Sequence, residues 1–105
     1  MRINVLIAAA AAALLATLPL SGAMASDIGK GRKTFESYCA SCHGDDGQSM
    51  VPGTPSFANG DGLFVTDSVL VDRIRTGNGI MPAFRGLLSD DEIRDVISYL
   101  RTLPR

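Results

Sequence analysis

Both cysteines and the only histidine of this 105-residue chain fall within five consecutive residues, Cys39-Ala40-Ser41-Cys42-His43. Any chemistry that needs a thiol or an imidazole must therefore happen at this one place. Cys-x-x-Cys-His is the attachment site of a c-type haem. Two thiols about one helical turn apart add across the vinyl groups as thioethers, and the adjacent imidazole reaches the iron from the same side. A chain that must close around one large, flat, apolar group bonded to a single turn has few folds open to it.

Two other readings of the five residues are weaker. A redox-active Cys-x-x-Cys belongs at a strand-to-helix junction in a βαβ pattern, and no part of the chain has that pattern. A structural zinc site takes four protein ligands; the motif offers three, and no second Cys/His pair exists to complete the set.

The beginning of the chain reads as a targeting segment. Arg2 precedes an apolar stretch from Ile3 to Leu20, Pro19 and Gly22 interrupt it, and Ala23-Met24-Ala25 is an A-x-A cleavage site. This predicts a secretory signal peptide over residues 1–25 and a domain over 26–105. The alternative is an uncleaved membrane anchor, because the apolar stretch is just long enough to span a bilayer. Both readings export the domain, which suits a group attached on the oxidising side of a membrane.

Without Arg2, nine basic residues remain against eleven acidic ones, a net charge of −2. That balance argues against a nucleic-acid partner, which calls for clustered Lys and Arg. A domain this small buries too little apolar surface to be secure alone and usually needs a staple. One covalent haem c supplies it.

Helical spacing organises the rest, and no window alternates as a strand, so the expected fold class is all-α with about three main helices. The first runs from about Asp27 to Cys42, with Asp27 as N-cap and Ile28, Gly31, Phe35 and Tyr38 on one face; Gly31 would let another helix approach closely. Residues 44–62 form a long Gly/Pro/Asp/Ser-rich connection. A stretch of that length without regular structure is expected only where it serves a site, here as a wrap around the haem edge with Phe57 as apolar anchor. A second helix spans Asp67–Thr76, capped by Thr66 or Asp67 and closed by Gly77. In the last, Ser89-Asp90-Asp91-Glu92 is a capping box, and Ile93, Val96, Ile97 and Leu100 form the apolar face.

With His43 on one side of the iron, the sixth position decides the chemistry: a thioether suits electron transfer, whereas an open position admits ligands. Beyond residue 25 only Met50 and Met81 are available. Met50 follows His43 by seven residues and can hardly reach the opposite face. Met81 sits in a loop bounded by Gly77, Gly79 and Pro82, an unusual setting for the alternative role of flexible core filler. The expected metal ligands are His43 and Met81.

In order along residues 28–103, the chain shows a first helix with its glycine and aromatic, Cys39-Ala40-Ser41-Cys42-His43-Gly44, Pro55-Ser56-Phe57, Gly79-Ile80-Met81-Pro82 and a closing helix ending Tyr99-Leu100-Arg101-Thr102-Leu103. This resembles class I cytochrome c. The resemblance implies helices and long loops around one haem, the first and last helices crossing. It also implies a proline carbonyl bonded to the free nitrogen of the proximal histidine, for which Pro55 fits the pattern and Pro52 is the rival. The segment from His43 to Met81 is short for the family, with room for one clear helix, so a propionate edge is expected to be exposed. Arg73, Arg75 and Arg85 are candidates to meet it on charge alone.

The expected function is periplasmic electron transfer, with redox-protein donor and acceptor docking transiently at the exposed haem edge near Ala40-Ser41 and Met81-Pro82-Ala83. A membrane partner follows only if the N-terminal segment stays uncleaved. The other readings are a haem-bearing subunit of a larger oxidoreductase and a gas or ligand sensor with Met81 displaced. No enzymatic activity is expected, since the sole histidine is already committed to the iron. If both thiols are consumed in thioethers, the denatured exported protein will retain its haem through acid–organic extraction. Its mass will then exceed that of the polypeptide by one haem, and extractable haem or two free thiols would refute the attachment.

Overall fold

The computed structural model describes residues 25–105, and the leader predicted over residues 1–25 lies almost wholly outside them. Four α-helices follow in order: α1 (Ile28–Tyr38), α2 (Ala40–His43), α3 (Asp67–Thr76) and α4 (Asp90–Leu100), with a single 3-10 turn at Phe57–Asn59. Among the described residues there is no strand, and only two isolated bridges occur, Asn78 with Met81 and Arg85 with Leu88. None of these helices is long and apolar enough to cross a membrane.

The single helix expected over residues 27–42 is broken in two. Asp27 caps α1 as anticipated, its carboxylate accepting from the amide of Lys30 (3.0 Å). Cys39 then turns to φ −119°, ψ −31°, and Ala40–His43 wind separately as α2, one residue past the expected end. The break gives Cys39, Cys42 and His43 a turn of their own at the end of a longer rod.

The core forms where α1 meets α4, with α3 also packed on α4. Phe35, Ile93, Val96 and Ile97 are essentially solvent-free, and Leu70, Val71 and Ile74 bring in the apolar stripe of α3. Burying a side chain of this size contributes about 1.5–3 kcal/mol, so the four inner residues dominate the stability of the joint. The apolar face predicted for α4 is the one buried. Its capping box is complete: Ser89 Oγ accepts from the Glu92 amide and Glu92 Oε1 from the Ser89 amide, both at 3.1 Å.

Gly31 sets how closely the two helices approach. A Cβ there would lie 1.9 Å from the carbonyl oxygen of Asp95 and 2.9 Å from the amide nitrogen of Val96, both backbone atoms of α4. The joint is reinforced at its edge by the Asp27 amide, which donates to Asp95 Oδ1 (2.7 Å).

Arg101, just past α4, ties the segment before α3 to the joint. Its guanidinium donates to the carbonyls of Leu63 (3.0 Å) and Val65 (2.8 Å) and to Asp67 Oδ1 (2.8 Å). Leu63 is thereby held in the core, while the intervening Phe64 is fully exposed.

Gly31→Ala is expected to destabilise the protein by about 1–3 kcal/mol or more, the cost of overpacking a close contact, in a guanidinium titration followed by circular dichroism. Gly29→Ala is on the same helix, but its Cβ would meet only Asp27 Oδ1 at 3.3 Å. It should stay within about 1 kcal/mol of wild type, the scale of a helical Gly/Ala exchange.

Candidate haem site

The turn α2 gathers three of the predicted site residues by its own hydrogen bonds. The amides of Cys42 (3.3 Å) and His43 (3.0 Å) both donate to the carbonyl of Cys39, which keeps the two thiols and the imidazole within one turn. The connection that follows is stitched back onto α2: the Met50 amide donates to Cys42 O (2.8 Å) and the Ala58 amide to Gly47 O (3.2 Å). Ser56 Oγ accepts from the Ser49 amide at 3.0 Å. A Gly- and Pro-rich stretch without regular structure is thus fixed along most of its length, and it brings Pro55 and Phe57 to His43.

His43 is buried. Its Nδ1 lies 3.2 Å from the carbonyl oxygen of Pro55. A carbonyl only accepts, so Nδ1 carries the proton and the other ring nitrogen keeps its lone pair. Burial lowers the imidazole pKa, partly offset by the Pro55 bond; the neutral ring is the form that binds a metal. Phe57 stacks on the imidazole, with centroids 4.5 Å apart and planes 21° from parallel, and meets Phe35 edge-on at 6.5 Å. The Cys39 thiol is pushed up to about 11, first by burial and then by the neighbouring Cys42.

Met81 comes from the loop between α3 and α4. Asn78 and Met81 exchange both amide–carbonyl bonds at 3.0 Å, forming a tight turn. The loop is then sewn to the last turn of α3, with the Phe84 amide donating to Ile74 O (3.0 Å) and the Arg85 amide to Arg75 O (3.2 Å). These bonds satisfy carbonyls that a helix C-terminus otherwise leaves unpaired.

Between α2, its following loop, α3 and the Met81 loop lies a cleft of about 510 Å³. Cys39, Cys42, His43, Pro55 and Met81 all line it, and Leu70, Ile74, Phe84 and Leu100 supply apolar wall. His43 and Met81 also both border a smaller void of about 30 Å³ beside Phe35 and Phe57. An apolar cleft of this size, carrying two thiols, a neutral imidazole and a thioether, has the donor set and lining that a covalently attached haem requires.

Met50 does not line the cleft and is 71% exposed. The three arginine candidates separate: Arg73 lines the cleft, Arg75 pairs with Asp90 (3.4 Å), and Arg85 is off it. Of the expected docking residues, Ala40 is buried against the core and cannot meet a partner, whereas Ser41, Pro82 and Ala83 are exposed. The stacking of Phe57 on His43 and the grip of Arg101 were not legible, because neither follows a helical period; the aromatic two residues past Pro55 was the only available signal for the first.

A sequence model of the family described as "Cytochrome C oxidase, cbb3-type, subunit III" matches residues 26–100. Cytochrome c6 of Thermosynechococcus vestitus is 32% identical over 97 residues, covering 90% of this chain and 85% of that protein. Cytochrome c6 of Leptolyngbya boryana is 36% identical over 81 residues, covering 71% and 91% respectively. The chain belongs to the class I c-type cytochromes. The likeness extends to three dimensions: the structure of cytochrome c6 from the diatom Phaeodactylum tricornutum matches with a TM-score of 0.62 at 29% identity, covering 73% of this chain and 93% of that one. As a c-type cytochrome the protein carries haem c covalently and transfers electrons.

Phe57→Ala removes the ring between His43 and Phe35. For this half-buried side chain, the loss should approach but not exceed the roughly 3–5 kcal/mol typical of a buried Phe→Ala change. Chemical denaturation of the holoprotein measures it, and a loss within about 0.5 kcal/mol, the scale of an ordinary surface change, would show that the stack does not support the site.

Proposed function

We propose that this cytochrome is an exported, periplasmic one-electron carrier, cleaved before Ser26. Cys39 and Cys42 would anchor the haem, and His43 and Met81 would bind its iron. The observation that carries the reading is the common lining of one cleft by His43 and Met81, with the only other described methionine exposed away from it. The relatives' naming as cytochrome c6 supports a carrier role.

When bound, the haem supplies the one-electron ferric/ferrous couple. The chain's part is to hold and insulate. The Pro55 carbonyl fixes the imidazole tautomer and raises its basicity, and Phe57 limits how the ring can tilt. A Met thioether favours the reduced state and raises the potential. The ligand-bearing turns are sewn to α2 and α3 by backbone bonds, so little moves when the charge changes. Partners would meet the rim at Ser41 and Pro82-Ala83, joined by Ile80, which is 85% exposed. Electron-transfer encounters are small and transient, and a rim of this extent suits them.

A second reading is favoured by one observation, the description of the matching family as an oxidase subunit. On that reading the domain is a fixed part of a membrane oxidoreductase held by an uncleaved leader. Fractionation of the native host separates the two: free periplasmic haem protein with Ser26 as its first residue supports the carrier, and co-purification with a membrane oxidase supports the subunit.

Met81→Ala is expected to lower the midpoint potential, abolish the weak far-red absorption of ferric thioether-ligated haem and admit carbon monoxide to the ferrous protein, while Met50→Ala does none of these. The reverse pattern would overturn the ligand assignment.

A further inference from the structure

We propose that Gly77 is a positioning residue for the Met81 thioether: it is the place where the loop carrying Met81 is pressed against the end of α3, and only a residue without a Cβ lets it lie there. This rests on Met81 being the ligand.

Gly77 closes α3 with φ 73°, ψ 179°, its amide donating to Arg73 O at 2.8 Å. Positive φ at a helix end is reason enough for glycine, and this combination with ψ near 180° is essentially confined to it. The conformation is only half of the observation. A Cβ built on Gly77 would lie 2.6 Å from the carbonyl oxygen of Met81, 2.8 Å from the carbonyl carbon of Pro82 and 2.8 Å from the amide nitrogen of Ala83. All three are backbone atoms, so no side-chain rotation can relieve the contact. The loop itself must shift.

What can shift is narrowly defined. Beyond Ala83 the chain is tied to Ile74 O and Arg75 O by the amides of Phe84 and Arg85, and Phe84 packs into the core. Before it, Asn78 and Met81 are locked to each other. The displaced unit is therefore the turn Asn78–Pro82, which holds Met81 and little of the core. Gly79 provides an internal comparison: it is in the same turn, has positive φ (57°), and its Cβ would meet no atom within 4 Å. Substitution at Gly79 strains the backbone without pushing the loop; substitution at Gly77 does both.

The test uses the full chain, exported with its haem, as wild type, Gly77→Ala, Gly79→Ala, Met81→Ala and the Gly77→Ala/Met81→Ala double variant. Gly77→Ala should keep covalent haem and helical circular dichroism, lose most of the far-red ferric band and become open to carbon monoxide when reduced. Gly79→Ala should keep the band and stay closed. In the cycle with Met81→Ala, the destabilisation by Gly77→Ala should shrink, because part of it is the lost thioether bond. A wild-type band and no carbon monoxide binding in Gly77→Ala would overturn the role of Gly77 and leave the ligand intact. Equal loss of the band in Gly79→Ala would overturn it too, since strain anywhere in the turn would then suffice. Failure of Gly77→Ala to accumulate in either background would make it a folding residue and also refute the proposal. Persistence of the band in Met81→Ala would overturn the ligand assignment instead.

Discussion

The contact between α1 and α4 is what the remaining structure depends on. It contains the four most deeply buried side chains, and it exists because Gly31 lets the carbonyl of Asp95 come within reach of the α1 backbone. From that joint α1 is aimed so that its continuation, α2, delivers two thiols and an imidazole to one edge of the cleft. The same joint places Leu100 in the cleft wall and Arg101 where it can hold the approach to α3. The site is built outward from this packing contact, and Cys39, Phe57 and Met81 pack against the core it forms.

The two halves of the site follow one plan. Two irregular stretches border the cleft, and each is bound by backbone hydrogen bonds to a neighbouring helix end: residues after His43 to α2, residues around Met81 to α3. Helix C-termini leave carbonyls in need of donors, and the loops supply amides to them. This explains how a domain with long stretches outside helices can keep His43, Pro55 and Met81 around one cleft. Rigidity comes from the helix ends, while the loops retain the freedom to place side chains that no helical register would.

Much of this was legible in the residues. The five-residue motif fixed the place of the chemistry, the capping box and the apolar face of α4 appear as read, and the bounds of α3 agree at both ends. Gly31 was readable as a point of close approach because it falls on an apolar helical face. The break at Cys39 was not, since Tyr38 through His43 carries no Gly or Pro to mark it. Leu63, Leu88 and Leu103 join the core from outside any helix, where periodicity has nothing to say. The Arg101 grip is equally silent in sequence, because two of its three partners are main-chain carbonyls, which have no residue code, and the third, Asp67, is 34 residues away.

The joint clasps the described domain near its two ends: the Asp27 amide and the Asp95 carboxylate that bond across it are 68 residues apart. The entropy of closing such a loop grows only with the logarithm of its length, about 0.6 kcal/mol for each doubling. The irregular stretches within that span can thus be lengthened at little entropic cost, provided the helices, the core and the short ties at Pro55, Gly77 and Arg101 survive. The length of the irregular stretch after α2 is therefore a dimension that the fold leaves open, and the degree to which a bound group is covered can evolve without disturbing the clasp that holds the domain shut.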